Sequence, residues 1–215
     1  MQPSITHQDC ARFVCDKPQK LVIMMHGIGS DANDLIALAP IMSLPHHYFI
    51  SLNGIEEYDM APYGRQWFSL QDRGYEAILR GLENANQKVN AIIKQHQKEL
   101  GIENKDTILL GFSQGTIMSL YMSLVAQEQP YYAVVGFSGR LVPPQKVHTT
   151  STPVCLIHGE DDEVLSIDDL FAAKRYLEKM NVSVASHALP NLTHSIDHVG
   201  IEIACDFLSK LHPGA

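Results

Sequence analysis

A serine is flanked by glycines two residues away on either side in Gly111-Phe112-Ser113-Gln114-Gly115. The pentapeptide follows the apolar run Thr107–Phe112 and precedes the apolar segment Thr116–Ala126, as at a junction between a buried strand and a buried helix. A G-x-S-x-G sequence at such a junction is typical of a sharp turn that exposes the serine as a nucleophile. Small residues are needed there because strand and helix cross closely. We therefore predict that Ser113 is a nucleophile.

A nucleophilic serine needs a base to take its proton and an acid to orient that base. In this turn architecture the acid, and then a histidine, follow the serine along the chain. Four acid candidates stand together in Glu160-Asp161-Asp162-Glu163, directly after the apolar run Pro153–His158. Most of them must face water, because burying an unpaired charge is unfavourable. The residues alone leave open which of the four is the acid.

The histidine is easier to choose, although the chain has 11. His194 follows the last strand pattern and stands among turn-forming residues, whereas His187 falls inside that pattern and His198 lies on the C-terminal helix. His26 and His158 each precede a glycine at a strand end, where a packed structural role is expected. The spacing of His194 and His198 resembles a helical zinc pair, but the glutamate of the metalloprotease motif is missing. We predict His194 as the base and no metal.

Two backbone N–H groups are also required to hold the oxyanion that forms when a serine attacks a carbonyl. One normally comes from the residue after the nucleophile, which is Gln114. The other comes from the loop after an early strand, here His26-Gly27-Ile28-Gly29-Ser30. The glycines of this loop would let the backbone approach a substrate closely, although on their own they equally suit a plain turn.

Short apolar runs alternate with longer helical patterns along the chain. Runs typical of strands buried on both faces are Leu21–His26, Tyr48–Leu52, Thr107–Phe112, Ala133–Phe137 and Pro153–His158, while Val182–Leu189 alternates like a strand nearer an edge. Apolar residues recur on one helical face from Tyr75 to Leu100 and from Ile196 to Leu211. This alternation predicts an α/β fold with a mostly parallel central sheet and helices on both faces. Ligands bind outside the carboxyl ends of such strands.

Composition restricts the class of protein. The 215 residues are 45% hydrophobic and 19% charged, as in a folded globular domain, and we expect one domain over 1–215. The net charge of −8 disfavours a nucleic-acid binder. No apolar run reaches the roughly 20 residues that span a bilayer, and the N-terminus lacks secretory-signal features. With four irregularly spaced cysteines read as reduced thiols, we expect a cytoplasmic protein.

Together these motifs resemble the small carboxylesterase, lysophospholipase and acyl-protein thioesterase family of α/β-hydrolases. The resemblance rests on the early H-G-x-G loop, G-F-S-Q-G, H-G-x-x-D with a following Val, and the late histidine followed by Ser. It runs from about Leu21 to the C-terminal helix and includes Gln66-Trp67-Phe68-Ser69-Leu70. It implies an α/β-hydrolase fold without a large lid domain.

The resemblance also implies roles for individual residues. Ser113 matches the nucleophile, Asp162 the acid and His194 the base, so that Asp162 is preferred to its neighbours. Ile28 and Gln114 match the oxyanion donors. The implied reaction is hydrolysis of carboxylic esters or thioesters through an acyl-enzyme, without a cofactor. Expected substrates are small-molecule or lipid acyl esters and thioesters or an S-acylated protein, and the chain is expected to be a monomer or homodimer. The alternative is a catalytically silent binding protein with the same fold.

The segment 53–70 fits neither strand nor helix and is predicted to be a loop over the site. We expect Trp67 and Phe68 of this segment to line an acyl groove, while packing into the core is the alternative for these aromatic residues. Gly27 and Leu165 are predicted as further substrate contacts. No insertion between the strand and helix patterns is large enough for a bulky lid, so the site is expected to be open to long or bulky acyl groups.

Overall fold

A seven-stranded sheet runs through the residues that the computed structural model describes, 10–61 and 63–211. The strands in chain order are β1 (Cys10–Phe13), β2 (Lys20–Met25), β3 (His47–Leu52), β4 (Glu56–Glu57), β5 (Arg65–Gln66), β6 (Thr107–Phe112), β7 (Ala133–Phe137), β8 (Val154–Gly159) and β9 (Val184–Leu189). The sheet order is β1-β3-β2-β6-β7-β8-β9, while β4 and β5 pair separately. Only β1 runs antiparallel to its neighbour within the large sheet. The predicted mostly parallel sheet is confirmed.

Six α-helices accompany the sheet in the described part of the chain. They are α1 (Ala32–Ile36), α2 (Leu38–Met42), α3 (Tyr75–Leu100), α4 (Gln114–Val125), α5 (Ile167–Lys179) and α6 (His198–Lys210). Buried side chains of α3, α4 and α5 pack on one face of the sheet, and those of α1, α2 and α6 pack on the other. The prediction of helices on both faces is therefore confirmed.

The alternation of side chains along β2 shows why the central strands are apolar throughout. Leu21, Ile23 and Met25 face one core, Val22 and Met24 face the other, and all are fully buried. Because successive side chains point to opposite faces, a strand covered on both sides must be apolar at every position. The predicted bounds of β6 and β7 agree with the structure, and β9 lies at the predicted edge.

Some elements differ from the predicted pattern. Val199, in the first turn of α6, is 50% exposed, so the apolar face predicted from Ile196 to Leu211 is not buried along its whole length. The loop 53–70 contains the short antiparallel pair β4–β5, and the connections between described elements hold no inserted lid domain. None of the helices within 10–61 and 63–211 has the length and apolar character needed to cross a membrane.

Candidate active site

Ser113 occupies a tight turn between the end of β6 and the start of α4. Its backbone has φ 53° and ψ −115°, a conformation that costs about 1–3 kcal/mol for a residue other than glycine. Its N–H donates to the carbonyl of Phe137 at 2.9 Å, which ties the turn to β7. A Cβ on Gly115 would lie 1.8 Å from the carbonyl oxygen of Met25, and one on Gly111 would lie 2.4 Å from the backbone of Gly115. Both glycines of the motif are therefore required by the close crossing of strand and helix.

Asp162 and His194 lie in the loops that follow β8 and β9, and they are hydrogen-bonded. The Nδ1 atom of His194 is 2.7 Å from Oδ2 of Asp162. The other carboxylate oxygen, Oδ1, accepts the N–H groups of Val164 and Leu165, each at 2.9 Å. The Asp162 side chain has no solvent exposure, whereas Glu160, Asp161 and Glu163 are exposed. Asp162 is thus the buried carboxylate of the acidic turn.

The hydrogen bonds of Asp162 favour its ionised form. Burial is the largest single influence and raises the pKa, but the Leu165 N–H, the His194 ring and the Val164 N–H together lower the pKa of Asp162 below its ordinary value. The carboxylate consequently stays charged at neutral pH. Because it accepts the proton on Nδ1 of His194, the Nε2 atom of the neutral ring is the one able to accept a proton.

His194 is held beside the serine turn by its neighbours. Its ring lies against Phe112, the residue before Ser113, with ring centroids 5.0 Å apart. The carbonyl of Leu192 accepts the N–H of Asp161 at 3.0 Å, and a Cβ on Gly159 would lie 2.0 Å from that same oxygen. The loop of His194 is therefore seated directly on the acidic turn, and Gly159 permits this approach.

His158 contacts the carboxylate of Asp162, and the sequence did not predict this contact. It is buried, and its Nε2 lies 2.9 Å from the carbonyl oxygen of Leu165 and 3.2 Å from Oδ2 of Asp162. Because a carbonyl can only accept, Nε2 carries the proton and donates to Leu165. This bond closes the acidic turn around Asp162. The sequence signal for this contact was that Asp162 follows His158 by four positions in H-G-x-x-D.

The predicted oxyanion donors lie on two rigid backbone segments. Gln114 is the first residue of α4, and the first N–H groups of a helix lack partners within the helix. Ile28 lies in a loop that backbone hydrogen bonds hold in place. The N–H of Gly29 donates to the carbonyl of Arg65 at 2.8 Å, and the N–H of Ser30 donates to the carbonyl of Gly27 at 3.2 Å. Ile28, Ser113 and Gln114 all line the same groove.

Trp67 and Phe68 do not line this groove, which corrects the expectation that they form an acyl groove. Their side chains are 0% and 1% exposed and pack into the core. The Trp67 indole N–H donates to the carbonyl of His26 at 2.8 Å. The Gln114 side chain accepts the Trp67 N–H at 2.9 Å and donates to the Phe68 carbonyl at 2.7 Å. The two aromatic residues thus join the loop after β2 to the start of α4.

His26 has the packed structural role that was expected. Its Nε2 accepts the N–H of Gly54 at 2.9 Å, so Nδ1 carries the proton and donates to the carbonyl of Gly27 at 2.7 Å. Burial is the main reason that its pKa is lowered, which keeps the ring neutral. Gly27 itself is buried against Phe112 and Ser113, where a Cβ would lie 3.1 Å and 3.4 Å from their side chains. Gly27 packs against the side chain of Ser113 and does not line the groove.

The groove beside Ser113 has a volume of about 430 Å³. Its apolar lining includes Ile28, Met60, Leu70, Ile117, Val164 and Leu165. Leu165 lies at the groove, and its contact with the substrate stays a prediction. Met60 and Val164 are largely exposed, at 79% and 67%. Charged side chains of the lining are Asp59, Arg73 and Arg140. No group of three or more metal-ligating side chains is assembled among residues 10–61 and 63–211.

Comparison with known proteins gives consistent matches over most of the chain. A family model described as Phospholipase/Carboxylesterase matches residues 11–212. The chain is 31% identical to esterase YpfH of Escherichia coli over 211 residues, which cover 92% of this chain and 86% of that protein. It is 29% identical to acyl-protein thioesterase 1 of Aspergillus fumigatus over 222 residues, which cover 89% and 88% of the two chains.

The solved structures agree with the sequence comparison. The crystal structure of esterase PE8 superposes with a TM-score of 0.86 at 31% identity, covering 94% of this chain and 97% of that one. The predicted α/β-hydrolase fold is confirmed by these matches.

Proposed function

The chain belongs to the phospholipase/carboxylesterase family, and we propose that it hydrolyses carboxylic esters or thioesters through Ser113, His194 and Asp162. The 2.7 Å hydrogen bond between the buried carboxylate of Asp162 and Nδ1 of His194 is the main support for this proposal. It fixes the tautomer in which Nε2 is free to act as a base. The imidazole packs on Phe112, directly before the strained serine.

The first half of the reaction forms an acyl-enzyme. Nε2 of His194 takes the hydroxyl proton of Ser113 while Oγ attacks the carbonyl carbon of the substrate. The carbonyl oxygen becomes an oxyanion that accepts the N–H groups of Ile28 and Gln114. Removing one oxyanion donor from a serine protease raises the barrier by about 3–4 kcal/mol. The bond to the leaving alcohol or thiol then breaks, and His194 donates its proton to that group. Throughout, the charged Asp162 stabilises the imidazolium.

The second half returns the enzyme to its starting state. A water molecule replaces the leaving group, His194 removes one of its protons, and the resulting hydroxide attacks the acyl carbon. Collapse of the second oxyanion breaks the bond to Oγ and returns the proton to Ser113, which releases a carboxylic acid. The apolar lining of the groove, including Ile117 and Leu165, suits an acyl chain. Small acyl esters, lipid acyl esters and S-acylated proteins are therefore the proposed substrate classes.

Labelling with a fluorophosphonate tests this proposal and separates an enzyme from a silent binding protein, since only an activated serine reacts. We expect wild-type protein to be labelled on Ser113, as located by peptide mass spectrometry, and to hydrolyse 4-nitrophenyl butyrate. Ser113→Ala should lose both labelling and turnover. Ser209→Ala, an exposed hydroxyl on α6, is the matched control and should retain both. Labelling that persists in Ser113→Ala would refute the assignment of the nucleophile.

A further inference from the structure

An arginine enters the groove from the segment that follows β7. Arg140 comes directly after Gly139, whose backbone is packed against the serine turn. A Cβ on Gly139 would lie 2.3 Å from Cβ of Thr116 and 3.1 Å from the carbonyl oxygen of Ser113. The segment is also tied to β8, because the N–H of Ser138 donates to the carbonyl of Ile157 at 2.9 Å. The base of the Arg140 side chain is therefore held at a fixed position next to the nucleophile.

The guanidinium group of Arg140 has an unused buried donor. Its Nε atom is shielded from solvent and has no hydrogen-bond partner. None of the ion pairs formed within residues 10–61 and 63–211 involves an arginine. Buried polar groups are nearly always hydrogen-bonded, and a charged donor without a partner is especially unfavourable. Because Arg140 lines the groove, an anion bound there would lie beside its unpaired positive charge.

The charges of the groove differ in sign from those of the whole protein. The chain carries a net charge of −8, which would repel an anion at long range. In the groove, however, two guanidinium groups, Arg73 and Arg140, face one carboxylate, Asp59. Within residues 10–61 and 63–211, no carboxylate forms an ion pair with Arg140, so its positive charge has no acid in direct contact.

We propose that Arg140 binds a carboxylate of the substrate, so that the enzyme prefers esters that carry a carboxylate near the reacting carbonyl to neutral esters of the same size. The proposal rests on the hydrolase function proposed above. The planar guanidinium matches a carboxylate through two parallel hydrogen bonds, which a point charge cannot form. The carboxylate can belong to the acyl group, as in a dicarboxylic acid half-ester, or to the leaving group.

Paired aryl esters distinguish these two sources. The acyl arm compares monophenyl glutarate with methyl phenyl glutarate, and the leaving-group arm compares 3-acetoxybenzoate with its methyl ester. The measured quantity is the ratio of kcat/KM for the charged ester to that for the neutral one. Because Arg140→Gln removes hydrogen bonds between two charged groups, it should lower this ratio about tenfold to a hundredfold in one arm. Arg140→Lys should restore only part of it.

Two further measurements complete the test. Arg175→Gln, an exposed arginine on α5, is the matched control and should leave the ratio within twofold of wild type. Calorimetric binding of glutarate reports on the anion site without turnover, and Arg140→Gln should weaken it at least tenfold. Binding of glutarate through Arg140 without hydrolysis of any ester would contradict only the proposed function. Equal ratios in wild type and Arg140→Gln in both arms, with unchanged glutarate binding, would overturn the inference.

Discussion

Replacing Asp162 with asparagine removes one charge from the site and leaves its shape. The amide oxygen can still accept the N–H groups of Val164 and Leu165, which lie 2.9 Å from Oδ1. The amide nitrogen then faces His194 and can only donate, so Nδ1 must become an acceptor and Nε2 must carry the proton. The histidine can no longer take the proton of Ser113. We therefore expect a folded protein with little activity.

The distance between the side chains of Asp162 and His194 sets the size of the expected fall in kcat. Opposite unit charges 2.7 Å apart attract each other by about 6 kcal/mol at an effective dielectric constant of about 20. The His194 side chain is 17% exposed, so solvent screening reduces this to about 4–6 kcal/mol. At about 1.4 kcal/mol per factor of ten, the imidazolium loses stabilisation equivalent to roughly a 10³- to 10⁴-fold fall in kcat. The same replacement in a protease triad has an effect of about 10⁴.

Asp161→Asn provides the matched control, since Asp161 is adjacent, identical in type and exposed. Its kcat for 4-nitrophenyl butyrate at pH 8 should stay within twofold of wild type. Circular dichroism of both variants checks that the fold is retained. If Asp162→Asn kept more than a tenth of wild-type kcat, or if Asp161→Asn lost more activity than Asp162→Asn, the assignment of the acid would be wrong.

Two other predictions concern stability. Gly115→Ala should lower the free energy of unfolding by about 3 kcal/mol or more in urea titrations, because its Cβ would meet the carbonyl oxygen of Met25 at 1.8 Å. In the control variant Gly74→Ala the new Cβ meets only an exposed side-chain oxygen at 3.1 Å, so the free energy of unfolding should fall by less than about 1 kcal/mol. Equal losses of unfolding free energy in the two variants would mean that the backbone around Met25 shifts readily to accommodate the added Cβ. The lowered pKa of Asp162 means that its ionised form stabilises the fold above its ordinary pKa of 3.8, and that this contribution is lost as the pH falls further. The urea midpoint of wild type should therefore fall relative to Asp162→Asn between about pH 5 and pH 3; a constant difference would contradict the lowered pKa.

The sequence is most informative where a single local cause determines the structure. The runs at Thr107–Phe112 and Ala133–Phe137 predict β6 and β7 because burial on both faces requires apolar residues at every position. The serine turn is similarly local, since its glycines and its place between strand and helix are adjacent in sequence. By contrast, β1 has partly exposed residues throughout, and only its pairing with β3 makes it a strand. The three buried residues of α5, Leu170, Ala173 and Leu177, give a weak helical pattern.

The role of Trp67 could not be predicted because its partners are remote in sequence. A tryptophan in an irregular segment is equally consistent with a groove wall and with the core. What decides between them is that its indole N–H meets the carbonyl of His26, and its backbone N–H meets the side chain of Gln114, 47 positions away. These contacts arise only once β2 and β6 are paired. The contact of His158 with Asp162 likewise requires the acidic turn to have closed.

The order of strands in the sheet connects the proposed triad with the proposed anion site. Asp162 and His194 follow β8 and β9, which are neighbours, so their loops meet directly. Ser113 follows β6, and β7 separates it from β8. The segment after β7, which carries Arg140, must therefore emerge between Ser113 and Asp162. Its hydrogen bonds to both sides, from Ser113 to Phe137 and from Ser138 to Ile157, leave its path little freedom. A side chain at position 140 is thus well placed to discriminate among substrates without taking part in proton transfer.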